Sequence, residues 1–164
     1  EYIVGYDEQS LQELVGQELL RNKQTLSLAE SCTGGFLSHL ITQIPGCSAY
    51  FEGSVVVYSY EAKEKFLGVK METLNKYGAV SAEAVKEMAQ GALVRFGTDY
   101  SIAISGIAGP AGGTKEKPVG TVYIAVADKN SCEAQKFSFG ERRDRNIAKS
   151  ANTALSILLK KIRN

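Results

Sequence analysis

Thr25-Leu26-Ser27-Leu28-Ala29-Glu30-Ser31-Cys32-Thr33-Gly34-Gly35-Phe36-Leu37 reads as a strand that turns directly into a helix. Residues 25–29 are apolar enough for a short buried strand, and the apolar run after Gly35 continues at helical spacing to about Gln43. Pro45-Gly46 then ends the helix. A strand coupled to a helix in this way is the opening unit of an α/β sheet.

The flanking chain repeats the pattern. Leu11, Leu14, Val15 and Leu19 predict an amphipathic helix over about 8–22, and residues 1–7 read as a tether or linker. A second strand is predicted over about 53–58, centred on Val55-Val56-Val57 and closed by Tyr58. Ser59 caps a short helix with Glu61 in its first turn, and Ser81 caps a longer one to about Phe96 with Glu83 placed likewise. Strands three, four and five fall at 101–104, 120–127 and 133–139, the last two forming a hairpin across Asp128-Lys129-Asn130. A final helix over about 143–162 buries Ile147, Ala151, Ala154, Leu155, Leu158, Leu159 and Ile162. Strands alternating with helices predict an α/β sheet covered on both faces, with the first three strands parallel and one hairpin strand antiparallel.

In such a sheet ligands bind beyond the carboxyl ends of the parallel strands. Ser31, Tyr58 and Ser105-Gly106 follow the first three strands, so neighbouring strands would bring all three segments to one edge. The 164 residues are enough for one domain with a real core, and the net charge of +1 is too small for a general nucleic-acid binder. The three cysteines, Cys32, Cys47 and Cys132, include no C-x-x-C pair, which argues against a disulfide framework or a cysteine zinc site. Free thiols suit a reducing cytoplasm, and no apolar run approaches the length of a membrane span.

Several side chains at that edge can carry chemistry. Ser31 lies near backbone N–H groups that favour a developing oxyanion, and Gly34 and Gly35 allow close approach of a ligand. Read locally, a helix start capped by Thr33 is the simpler account. A serine nucleophile needs a base. The single histidine, His39, lies two turns along the helix and should point away from Ser31, so a Ser-His-Asp triad and a multi-histidine metal site are disfavoured. Lysine is the remaining base of suitable type. Lys63 stands in the first turn of the helix after strand two, where the helix dipole lowers an amine pKa only slightly. Desolvation must therefore supply most of the shift, and otherwise Lys63 stays charged and binds a phosphate. Tyr58 could orient Lys63 or relay a proton. Cys32 is by default a buried structural thiol. The Ser105–Gly113 stretch suits close backbone approach, and Arg142, Arg143 and Arg145 open the last helix with phosphate-binding chemistry.

Taken together, Ala29-Glu30-Ser31-Cys32-Thr33-Gly34-Gly35, Tyr58-Ser59-Tyr60-Glu61-Ala62-Lys63, Gly78-Ala79-Val80-Ser81, Ser105-Gly106-Ile107-Ala108-Gly109-Pro110 and Lys117-Pro118-Val119-Gly120-Thr121-Val122 are specific. In this order they resemble the CinA C-terminal domain, the nicotinamide-nucleotide amidase (PncC) family, over residues 8–164. The resemblance implies a three-layer α/β/α sandwich with a mixed, mostly parallel five-stranded sheet. It implies hydrolysis of nicotinamide mononucleotide to nicotinate mononucleotide and ammonia in the cytoplasm, without metal or other cofactor. By motif position Ser31 resembles the nucleophile and Lys63 the general base. Tyr58 and Thr33 match supporting positions, and Ser105 and Gly106 match the substrate-binding loop. Position 105 is often threonine in the family, and Ala111 stands where an acidic residue or glycine is common. The family's late Gly-Asp-Arg pattern appears only as Gly140-Glu141-Arg142-Arg143, from which Arg143 is preferred as the phosphate ligand.

A homo-oligomer is expected from the apolar helices, with no nucleic-acid or membrane partner. The first residues resemble the linker of two-domain CinA proteins, so a covalently attached N-terminal domain is a further expected partner. Two other readings stay open at this stage. One is a non-catalytic pyridine-nucleotide-binding regulatory domain of a larger protein, and the other is a pure oligomerisation module.

Overall fold

The computed structural model describes residues 9–164. The expected tether, 1–7, and the first residue of the expected helix at 8 lie outside the described residues. In chain order the elements are α1 (Leu11–Asn22), β1 (Leu26–Glu30), α2 (Phe36–Thr42), β2 (Phe51–Val56), α3 (Tyr60–Leu67), α4 (Met71–Tyr77), α5 (Ala82–Phe96), β3 (Tyr100–Gly106), β4 (Thr121–Asp128), β5 (Cys132–Ser138) and α6 (Arg143–Arg163). The sheet order is β2-β1-β3-β4-β5. β1 pairs in parallel with β2 and with β3, β3 pairs antiparallel with β4, and β4 pairs antiparallel with β5. Four strands therefore point one way and β4 alone runs against them. Two helical layers cover the sheet, giving the expected α/β/α sandwich.

The alternation of side chains along the central strands explains the two layers. Leu26 and Leu28 of β1, Ile102 and Ile104 of β3, and Val122, Ile124 and Val126 of β4 face α1, α2 and α6. Ala29, Ala103, Ala125 and Ala127 face the opposite way, toward α3, α4 and α5. Large aliphatics fill the first layer, whereas alanines bring α5 close to the sheet on the second. The approach is close enough for the buried Ser101 hydroxyl to donate to the Ala89 carbonyl at 2.6 Å. On the first layer the Glu18 carboxylate accepts from Arg163 at 2.9 Å, tying α1 to the end of α6. Among the described residues no helix is long and apolar enough to cross a membrane.

Two local expectations are corrected. β2 starts and ends two residues before the predicted strand, because it enters through Phe51-Glu52 and a register shift opposite Leu26/Ser27. Val57 still donates its N–H to the Glu30 carbonyl at 2.9 Å, but Tyr58 and Ser59 have left the strand to start α3. The helix α4 was not predicted. Its amino end is held by a distant carboxylate, Glu87 of α5, which accepts from the Lys70 N–H at 2.8 Å and the Thr73 hydroxyl at 2.7 Å.

The second layer is tightest where α3 ends against α5. A Cβ on Gly91 would stand 1.9 Å from the Leu67 carbonyl oxygen. Alanine gains about 1 kcal/mol over glycine inside a helix, but relieving a backbone collision costs about 1–3 kcal/mol. Gly91→Ala is expected to lower the midpoint of urea unfolding, and an unchanged or raised midpoint would show that α3 yields easily.

Candidate active site

Ser31 is the first residue beyond β1, and its N–H donates to the Ile104 carbonyl of β3 at 3.0 Å. The nucleophile candidate is thus fixed between the two central parallel strands. The turn that follows needs left-handed backbone at two successive residues, φ +58° at Gly34 and +99° at Gly35, which is where glycine is the unstrained choice.

Lys63 approaches from α3, the helix that follows the neighbouring strand β2. Ser59 caps α3 by accepting the Ala62 N–H at 3.0 Å, which places Lys63 one turn into the helix with its side chain directed under the main chain of residues 57–58. The side chain is 1% exposed. Its Nζ lies 3.2 Å from Ser31 Oγ, 3.0 Å from the Val57 carbonyl and 3.3 Å from the Tyr58 carbonyl. Among the described residues no carboxylate pairs with it. Burial without a counter-ion pushes the Lys63 pKa below its ordinary value of 10.5. The amino end of α3 acts in the same direction, more weakly. A neutral amine has two N–H groups and one lone pair. The two carbonyls take the two hydrogens, and the lone pair is left for the Ser31 hydroxyl.

Cys32 is buried beside Ser31, and burial raises its thiol pKa to about 12, with the Arg143 charge pulling the other way. At neutral pH it stays a thiol, which leaves Ser31 as the nucleophile candidate at this turn. His39 is exposed on α2.

The other predicted residues fall around this pair. Arg143 donates to the Gly109 carbonyl at 2.8 Å and to the Tyr58 hydroxyl at 3.1 Å, joining the amino end of α6 to the loop after β3 and to the segment before α3. Arg142 instead pairs with Asp144 at 2.8 Å. Tyr58 is 62% exposed and meets Lys63 through its main-chain carbonyl, its phenol being turned to Arg143. The hydroxyl of Ser105 donates to the Ala79 carbonyl at 2.7 Å, so it holds the Gly78–Ser81 segment against the end of β3. Gly106 has a packing reason of its own: a Cβ there would stand 2.7 Å from the Val122 side chain.

Thr33 does not cap α2; the cap position is Gly35, with no side-chain cap of its own. The Thr33 hydroxyl is instead buried and unpartnered. The capping is done by Glu30, a role that sequence reasoning missed. Its fully buried carboxylate accepts the N–H groups of Gly35 and Leu37, both at 3.1 Å, and of Ser38 at 2.8 Å. Gly34 N–H is taken by the Ser31 carbonyl at 3.0 Å. Of the turn's N–H groups, that of Thr33 donates to no acceptor among the described residues, and that of Cys32 meets only its own sulfur. Both are thus uncommitted to another residue, as N–H groups that are to receive an oxyanion must be.

Other clefts lie away from this pair. One of about 370 Å³ separates the β4–β5 hairpin from the end of α6, and one of about 510 Å³ lies between α3 and α5. Neither is lined by a hydroxyl–amine pair or by an unpartnered buried polar atom.

Known proteins share both sequence and fold with this chain. Residues 8–162 match the family model described as the CinA C-terminal domain. A CinA-like protein of Endomicrobium trichonymphae is 53% identical over 160 residues, covering 98% of this chain and 37% of that protein. The chain thus spans well under half the length of the curated relatives it matches. A CinA superfamily protein from Klebsiella pneumoniae has a crystal structure that superposes with a TM-score of 0.89 at 37% identity, covering 94% of this chain and 99% of that one. The competence/damage inducible protein of Agrobacterium tumefaciens superposes with a TM-score of 0.90 at 34% identity, covering 98% of this chain and all of that one. On the family model and these likenesses, the chain belongs to the CinA C-terminal domain family.

Proposed function

We propose that the chain is an amidohydrolase that converts nicotinamide mononucleotide to nicotinate mononucleotide and ammonia. The observation that carries the reading is the 3.2 Å approach of a buried, unpaired Lys63 amine to the Ser31 hydroxyl. Lys63 takes the Ser31 proton as Oγ bonds to the carboxamide carbon. The Cys32 and Thr33 N–H groups stabilise the oxyanion. The C–N bond then breaks, and the proton held by Lys63 leaves with ammonia. Water attacks the resulting ester, again giving one proton to Lys63, which returns it to Ser31 as the carboxylic acid departs and then loses its remaining proton to solvent. Arg143 has donors to spare beyond Gly109 and Tyr58 and is the ligand for the 5′-phosphate.

The test is to incubate purified protein with nicotinamide mononucleotide and to quantify ammonia and nicotinate mononucleotide together. Equal amounts of both products, formed over many turnovers, support the amidase. Stoichiometric binding with no ammonia would make the domain a nucleotide-binding regulatory module instead.

The phenol of Tyr58 meets Arg143, so it serves the rim of the site and not the proton transfer. Tyr58→Phe is expected to raise KM by about two- to tenfold, the worth of one hydrogen bond, with kcat nearly unchanged. A collapse of kcat in steady-state measurements would restore the phenol as a proton relay.

A further inference from the structure

Glu30 is a buried carboxylate without a cationic partner among the described residues, and it immediately precedes the nucleophile. Its Oε2 accepts the N–H groups of Gly35 and Leu37, and its Oε1 accepts that of Ser38. The Ser38 hydroxyl lies 2.5 Å from Oε1 and 2.6 Å from the Ser54 hydroxyl. A carboxylate only accepts, so the single Ser38 proton goes to Glu30, and Ser54 donates to Ser38. One chain of bonds thus runs from β2 through α2 to the last residue of β1. The main chain of Glu30 is held as well, its carbonyl accepting from Val57 N–H at 2.9 Å.

We propose that Glu30 is the positioning residue of the Ser31 site. Its carboxylate closes the turn of residues 31–35 on itself, aiming the Cys32 and Thr33 N–H groups at the oxyanion position and holding Ser31 Oγ before Lys63. Filling the amino end of α2 with an internal anion also turns a substrate phosphate away from that helix and toward Arg143. The inference rests on the amidase reading for its substrate but not for its mechanics. Glutamine cannot replace the carboxylate. In either amide orientation, an NH2 group faces N–H donors that Glu30 now accepts.

The test separates the two readings by using a substrate-independent probe. A fluorophosphonate reagent bonds phosphorus to Ser31 Oγ, expels fluoride and passes the serine proton to Lys63. Its labelling rate reports the nucleophile and oxyanion geometry whether or not nicotinamide mononucleotide is the substrate. For folded Glu30→Gln, labelling is expected to slow about tenfold or more, toward the loss seen when an oxyanion donor is removed. The pH midpoint of labelling, set by Lys63, is expected to stay where it is in the wild type. Labelling at the wild-type rate overturns the proposal. A midpoint that moves with the rate also overturns it, since charge and not geometry would then be responsible. If Glu30→Gln does not fold, Ser38→Ala decides, with a slowing of about threefold for one lost bond in support and wild-type labelling against. Wild-type protein that labels but releases no ammonia defeats the substrate assignment and leaves Glu30 in its role. Wild-type protein that does not label at Ser31 overturns both.

Discussion

Replacing Ser31 by alanine is expected to cut release of ammonia from nicotinamide mononucleotide by about four orders of magnitude or more, as when the nucleophile of a cooperating set is removed. Binding of the nucleotide should remain measurable, because Arg143 and the Cys32 and Thr33 N–H groups are untouched by the change. The residue is small, and its N–H bond to Ile104 is independent of its side chain, so the sheet edge keeps its shape. Isothermal titration together with an ammonia assay reads both halves of the result. Turnover within a few-fold of wild type would remove Ser31 from the mechanism.

Lys63→Met is expected to have the second largest effect, lowering kcat by about 10²–10⁴-fold, the usual contribution of a positioned base. In the wild type, kcat/KM should rise with pH through the lowered Lys63 pKa, because only the neutral amine can take the serine proton. Folding stability follows the same titration. An unfolded lysine keeps its ordinary value of 10.5, and the folded one lies below it. Between those two values the unfolded lysine binds a proton that the folded one lacks, so the Lys63 contribution to stability increases with pH. The contribution is complete above the unfolded value, is lost as pH falls toward the folded value, and below that leaves a constant penalty. The methionine variant has no such charge to bury. The wild-type urea midpoint should therefore gain on that of the variant as pH rises through this window, the raised Cys32 thiol acting equally in both proteins. The variant's gain at neutral pH is partly offset by the Val57 and Tyr58 carbonyls, which lose their donor. Parallel slopes for the two proteins would mean that Lys63 titrates normally.

Much of this arrangement was legible in the sequence, because it rests on local signals. Ser59 and Ser81 cap the helices they were expected to cap, and the alternation in β1, β3 and β4 follows the two faces of the sheet. The approach of Lys63 to Ser31 was expected from the topology and the family resemblance, although the sequence could not supply the two carbonyls that direct the amine. What the chain concealed is long-range capping. Glu87 holds the start of α4 from another helix, and Glu30 caps α2 from a preceding strand, so neither leaves the usual Ser, Thr, Asp or Asn signature at the helix start. Thr33 carries that signature and yet caps nothing. The end of β2 was misplaced for a similar reason. Val57 continues the apolar run, but the main chain after Val56 leaves the strand and supplies Lys63 with acceptors.

The amine of Lys63 is steered by peptide oxygens, which every amino acid possesses. Tyr58, whose side chain is largely exposed, can therefore change and reshape the entrance beside the amine while the amine keeps its aim, whereas Val57 is held in place by the core. Descendants of such a domain could diversify at that entrance while Lys63 and Ser31 stay together.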